Sequence, residues 1–205
     1  CAGGADMAGL DASGWEEMIA AFLLFRSMRG REARPAGVGF NAGKTLVQIV
    51  VMWTIFYFLL PIAVYFVEDG IGLGQYRFAS TAWQIVGVVG FVGGGMVGLT
   101  CAWLMVTFGR GTPLPADCPR ELVIKGPYRY VRNPMAVSSF LQGMAIGLWL
   151  GSPLVVLYVL AGMVGWNYFV RPWEEMDLER RFGAPYARYR ERVRCWVPNL
   201  RPYEG

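Results

Sequence analysis

Four stretches of this chain contain no charged residue: Thr45–Val67, Ala82–Phe108, Met135–Leu150 and Leu154–Val170. An apolar run of about 20 residues matches the hydrocarbon thickness of a bilayer, and its peptide groups must be satisfied within the element. Helices meet that demand one segment at a time. The runs therefore predict an all-α polytopic membrane helix bundle with about four transmembrane helices. The third run is the shortest and calls for a thinned bilayer or a helix that stops short of one face. A composition that is 55% hydrophobic agrees, being too apolar for an ordinary soluble domain.

The runs also carry packing signals. Pro61 lies inside the first and predicts a kink. Gly90, Gly94 and Gly98 recur every fourth residue in the second, the spacing that lets helix backbones approach; the other use of such a face is room for a lipid tail. Gly151-Ser152-Pro153 is a tight turn, so the last two runs form a close antiparallel hairpin. Residues 1–43 read as a polar N-terminal segment. It holds an in-plane amphipathic helix over Trp15–Met28, then a basic linker over 29–43. Residues 44–205 read as one membrane domain, with Glu68–Thr81 a short polar loop. After Arg171 the chain turns polar. Trp173–Phe182 predicts an amphipathic helix that Gly183 stops. Pro185 opens another, with Tyr186, Tyr189 and Val193 on one face.

The 19 Lys and Arg are distributed unevenly. Five precede the first run, Arg77 stands alone after it, five occupy the next loop, none the third connection, and eight the tail. By the positive-inside rule 18 of the 19 are cytoplasmic, which puts both termini, the 109–134 loop and the amphipathic C-terminal helices on that face. That basic charge is accounted for by the membrane, so no nucleic-acid partner is expected. The chain has no histidine, which removes histidine general bases, Ser-His triads and His-based metal sites. Cys1, Cys101, Cys118 and Cys195 show no ligand spacing, so no metal site is expected either.

The stretch with most chemical content is Lys125–Pro134, Lys-Gly-Pro-Tyr-Arg-Tyr-Val-Arg-Asn-Pro. Pro127 and Pro134 fix its shape, Gly126 marks a turn, and Arg129, Arg132, Tyr128 and Tyr130 place cations and rings at one level. It reads either as an interfacial basic loop or as a cradle for a polar small molecule. Glu174 and Glu175, just past the fourth run, leave a similar choice. They are solvated and balanced by arginines, or one turns inward to a polar cavity facing Arg129 and Arg132.

Taken in order, the motifs resemble one family. They are Leu122-Val123-x-x-Gly-Pro-Tyr-Arg-Tyr-Val-Arg-Asn-Pro-Met, a helical hairpin, Glu174-Glu175-x-x-Leu178, Phe182-Gly183-x-x-Tyr186-x-x-Tyr189 and Val193-x-x-Trp196-x-Pro198. The set is similar to the integral-membrane methyltransferases that include isoprenylcysteine carboxyl methyltransferases and phosphatidylethanolamine N-methyltransferases. Gly111-Thr112-Pro113 fits their bacterial branch, which implies a bacterial inner membrane. The resemblance implies S-adenosylmethionine as methyl donor and a lipid-like acceptor. It implies that Leu122, Val123, Tyr128, Asn133, Pro134 and Met135 line the cofactor, that Glu174 reaches its polar end, and that Gly126 and Arg132 shape the loop. Two positions depart from the pattern: Asn167 replaces a histidine and Ala136 a tyrosine. Asn167 still hydrogen-bonds, and is kept with the cofactor set, but it does not titrate. Arg171 and Glu175 are the candidate catalytic residues, with Arg171 on the acceptor side because an anionic headgroup would sit at its depth. Rival readings are an NADPH-dependent membrane reductase of sterol-reductase-like architecture and a non-catalytic relative that binds a lipid or cofactor.

Overall fold

The computed structural model describes residues 32–33, 35–113 and 117–204. Five helices organise them: α1 (Val38–Gly70), α2 (Thr81–Thr107), α3 (Pro134–Leu150), α4 (Pro153–Phe182) and α5 (Ala184–Arg192). No strand occurs among these residues, only an isolated bridge between Glu32 and Cys118. α1, α2 and α4 are long and apolar enough to cross a membrane. α3, with 17 residues, covers about 25 Å of a roughly 30 Å hydrocarbon core. The chain is an all-α membrane bundle. The Trp15–Met28 helix expected from the sequence lies outside the described residues.

Two expected boundaries move. α1 begins at Val38, inside the predicted linker, because its polar residues are packed: Asn41 and Thr45 are buried, and Lys44 is ion-paired with Asp117 of the α2–α3 loop. At its other end α1 runs on through Glu68, expected in a loop. Glu68 is fully buried, accepts from Arg77 Nε at 3.0 Å, and caps α4 by accepting from Leu154 N at 3.2 Å. Arg77 also pairs with Asp69 at 2.9 Å and stacks on the Tyr65 ring. The lone basic residue of that face is therefore a latch between the two helical hairpins.

The predicted kink at Pro61 takes a specific form. Thr54–Leu59 is π-helical, and Leu60 N–H bonds back five residues to Ile55 O. The same device recurs in α4: Trp166–Val170 is π-helical, Arg171 N–H bonds to Trp166 O, and Pro172 follows. A proline lacks the N–H for the preceding turn and its ring crowds the carbonyl four residues back. Widening the turn just upstream accommodates both defects without ending the helix. This corrects the separate Trp173–Phe182 helix expected from composition: α4 continues through Arg171 and stops at Gly183, whose φ of 56° suits glycine.

The glycine face of α2 packs against α3. A Cβ on Gly87 would lie 2.7 Å from Ala145 O, on Gly94 2.9 Å from Gln142 Cγ, and on Gly98 3.0 Å from Ser138 Oγ. The helix approach, and not space for a lipid tail, is what these glycines provide. Trp53 and Tyr57 of α1 meet Phe91 of α2 edge-on at 5.6 and 5.8 Å, closing the other side of α2.

Candidate functional site

The α2–α3 loop and the C-terminal tail meet at one end of the bundle. Loop backbone and tail backbone are joined by Arg132 N to Arg194 O (2.8 Å), Asn199 N to Tyr130 O (2.8 Å) and Tyr203 N to Arg129 O (2.9 Å). Tyr189 Oη donates to Tyr128 O at 2.6 Å, and Arg132 Nη1 to Arg190 O at 2.9 Å. Gly126 sits at φ 55° with its α-carbon turned towards Leu104, which lets the chain enter the short helical turn Gly126–Arg129.

Within this end, two consecutive loop residues pair in register with two consecutive residues of α4. Arg132 Nη2 reaches Glu175 Oε1 at 2.8 Å. Asn133 Nδ2 donates to Glu174 Oε2 at 3.1 Å. Asn133 works at both ends, because its Oδ1 accepts from Ala136 N at 3.1 Å and caps α3. Its amide orientation is thereby fixed, and Glu174 is tied directly to the start of the third helix.

The two halves of this zipper differ in electrostatics. Glu175 is balanced by Arg132 and by Arg171, whose Nε lies 2.9 Å away. Arg171 Nη1 donates to Asn167 Oδ1 at 2.9 Å, and Trp196 Nε1 donates to the same oxygen at 2.8 Å. Glu174 has no cation partner among the described residues. It lies one turn beyond the apolar run that ends at Val170, and burial pushes its carboxyl up to about 7, against the lowering effect of the Asn133 hydrogen bond. Of the two carboxyls, Glu175 has two arginines and Glu174 an amide.

The predicted site residues fall into three groups. Asn133, Pro134 and Glu174 are together at the head of α3. Arg132, Glu175, Arg171 and Asn167 form the adjoining charged cluster, with Trp196. The apolar residues divide: Val123, Tyr128 and Met135 pack with Cys101 of α2, whereas Leu122 packs with Tyr186, Tyr189 and Val193 of the tail. Tyr186 Oη is buried without a hydrogen-bond partner among the described residues, Tyr128 lies against the Cys101 thiol, and burial raises both phenols. Arg129 does not face the glutamates as expected. Its Nε donates to Tyr203 O at 2.9 Å and it lies 3.8 Å from Glu204, because the tail's last turn occupies its side of the loop. The carbonyls of Arg190 and Arg194 were not expected as partners of Arg132, and backbone acceptors leave no mark in a sequence.

The phospholipid methyltransferase family model matches residues 83–185, from the first turn of α2 into α5. The match covers half the chain and includes both strands of the Arg132–Asn133/Glu174–Glu175 zipper, and the chain belongs to this family of membrane methyltransferases. An uncharacterised protein of Haemophilus influenzae is 40% identical over 63 residues, all of that protein and 31% of this chain. The family membership and the three long apolar helices together make the chain an integral membrane protein.

Proposed function

We propose that this protein transfers a methyl group from S-adenosylmethionine to a lipid-like acceptor at the cytoplasmic face of a bacterial inner membrane, with both termini on that face. The observation that carries the reading is Glu174: a carboxyl without a cation, oriented by Asn133, at the junction of loop, α3 and α4. The residues fit such a donor. Glu174 Oε1 is free of partners among the described residues and can accept from hydroxyls or an ammonium. The Tyr186 hydroxyl is buried without a hydrogen-bond partner among the described residues. Leu122, Val123 and Met135 supply apolar walls on the two sides of the loop.

Bound S-adenosylmethionine would supply an activated methyl on a sulfonium. The chain's part is then to align and to exclude water, which suits a site without histidine. Asn133 aims Glu174. The Arg132–Glu175 pair keeps the loop closed on α4. Arg171, the first residue past the apolar run, is at the depth of a lipid headgroup, and we assign it with Glu175 to the acceptor side. Asn167 holds Arg171 and Trp196 in place in this reading. The family match favours methyl transfer over the NADPH-dependent reductase.

The test is binding and transfer with labelled S-adenosylmethionine and total lipid extract in nanodiscs. Glu174→Gln should weaken cofactor affinity on the order of ten- to a hundredfold, the worth of a charge-assisted contact. Arg180→Gln, on an exposed position of the same helix, should leave it unchanged. Equal affinity for Glu174→Gln and wild type rejects the site. Binding of NADPH in place of S-adenosylmethionine rejects the reaction, and cofactor binding without transfer to any lipid supports the non-catalytic relative.

A further inference from the structure

After α5 the chain returns to the membrane edge. The Trp196 ring meets Trp166 edge-on at 5.2 Å and Phe140 at 5.9 Å, and its N–H is bound by Asn167. Trp166 and Asn167 belong to the last turn of the α4 apolar run, and Phe140 lies in the second turn of α3. Trp196 is thus seated at the depth where the spans end, the level at which tryptophan is favoured. The residues that follow leave from that level. Val197 is 56% exposed and Leu200 is 100% exposed. The backbone amides of Val197, Leu200 and Arg201 have no hydrogen-bond acceptor among the described residues.

Cations surround this segment. Arg188, Arg192, Arg194 and Arg201 are exposed, and none is ion-paired among the described residues. Arg188, Arg192 and Arg201 line one open cleft of about 630 Å³, together with Asn199 and Tyr203 and with Glu191 and Glu204 as its acidic members. Residues 184–204 carry five arginines against two glutamates, so the segment is net positive with those acids counted.

We infer that Trp196–Arg201 and the Arg188–Arg192–Arg201 cleft form an anchor that docks the tail on the headgroup layer of an anionic bilayer. Val197 and Leu200 enter the acyl boundary, and the cleft arginines take lipid phosphates. Both the seat of Trp196 at the membrane edge and the charge of the cleft point to this occupant. Because the same tail segment bonds Tyr130 and Arg129 of the loop, docking also steadies the loop from below. The inference does not rest on the methyl-transfer reading, and its test needs no cofactor.

The test is amide hydrogen exchange of the full chain in nanodiscs of phosphatidylcholine alone and of phosphatidylcholine mixed with phosphatidylglycerol. Each arginine near an anionic surface contributes about 1 kcal/mol, so three slow exchange at Val197, Leu200 and Arg201 on the order of a hundredfold in the mixed discs. The Arg188→Gln/Arg192→Gln/Arg201→Gln variant loses that difference, and Leu200→Ser lowers protection in the mixed discs. High salt should erase the difference in the wild-type protein, which keeps the test decisive if the triple variant fails to fold. Soluble glycerol phosphate added to the phosphatidylcholine discs should give no protection. Equal exchange in the two lipids, protection by the soluble phosphate, or an unchanged Leu200→Ser variant each overturns the anchor.

Discussion

Asn133 joins the cap of α3 to the uncompensated carboxyl of α4, and substituting it separates those two roles. Asn133→Asp keeps a capping oxygen for Ala136 N, since Asp and Asn cap equally well. It replaces the amide that donates to Glu174 Oε2 at 3.1 Å with a second carboxyl oxygen. Two carboxylates at that distance do not both ionise, so the pair must hold a proton. Holding a proton on a carboxyl whose unfolded pKa is about 4.3 costs about 1 kcal/mol at pH ~5 and at most about 5 kcal/mol at pH ~8. Asn133→Ala instead loses the cap, about 1 kcal/mol, and the donor, with no new charge. Glu174 sets the background. Its folded pKa is raised to about 7, so its contribution to stability is fully present below the unfolded value and is lost as pH rises through the folded one. The assay is chemical unfolding in mild detergent at both pH values. Asn133→Asp should match or exceed Asn133→Ala in stability at the lower pH and fall below it by about 1 kcal/mol at the higher, since the raised Glu174 carboxyl already accounts for most of that cost in both variants. If the two variants keep the same separation at both pH values, Asn133 and Glu174 are not in contact, and the zipper argument fails with them.

Three further outcomes are expected. A topology reporter fused at Arg77 should report the side opposite to one fused at Lys125, and a shared side would separate the Glu68–Arg77 latch from its present face. Gly94→Ala should destabilise the bundle by about 1–3 kcal/mol, because its Cβ would press on Gln142 Cγ and Ser138 O, whereas Gly93→Ala, with nothing within 4 Å, should not; thermal melting of both in one detergent decides it. Glu68→Ala should lower the melting temperature more than Asp69→Ala, since Glu68 is fully buried and holds both Arg77 and the first turn of α4 while Asp69 is half exposed; the reverse order would remove the latch.

What a sequence discloses about such a chain depends on whether the determining interaction is periodic. The apolar runs, the turn at Gly151, the stop at Gly183 and the glycine face of α2 are set by local chemistry repeated at fixed spacing, and all appear where the residues predict them. Boundaries set by pairing are different. Val38–Lys44 looks like linker until Lys44 finds Asp117, and Glu68 looks like loop until Arg77 covers it. The continuity of α4 is legible only to a reader who expects a π turn before each intrahelical proline, because hydropathy changes at Arg171 while the helix does not. The site shows the same division. Arg132, Asn133, Glu174 and Glu175 stand out as polar residues at a membrane edge. Which loop residue meets which glutamate is decided by the one-residue register between loop and helix, and by tail carbonyls that hold Arg132 from behind. That register puts Arg132 on Glu175, which Arg171 already reaches from one turn earlier in the same helix, and leaves Glu174 with the Asn133 amide alone among the described residues. A slip of one residue that brought Arg132 to Glu174 would neutralise it and leave Glu175 with Arg171 alone, so the pairing itself decides which carboxyl stands without a cation.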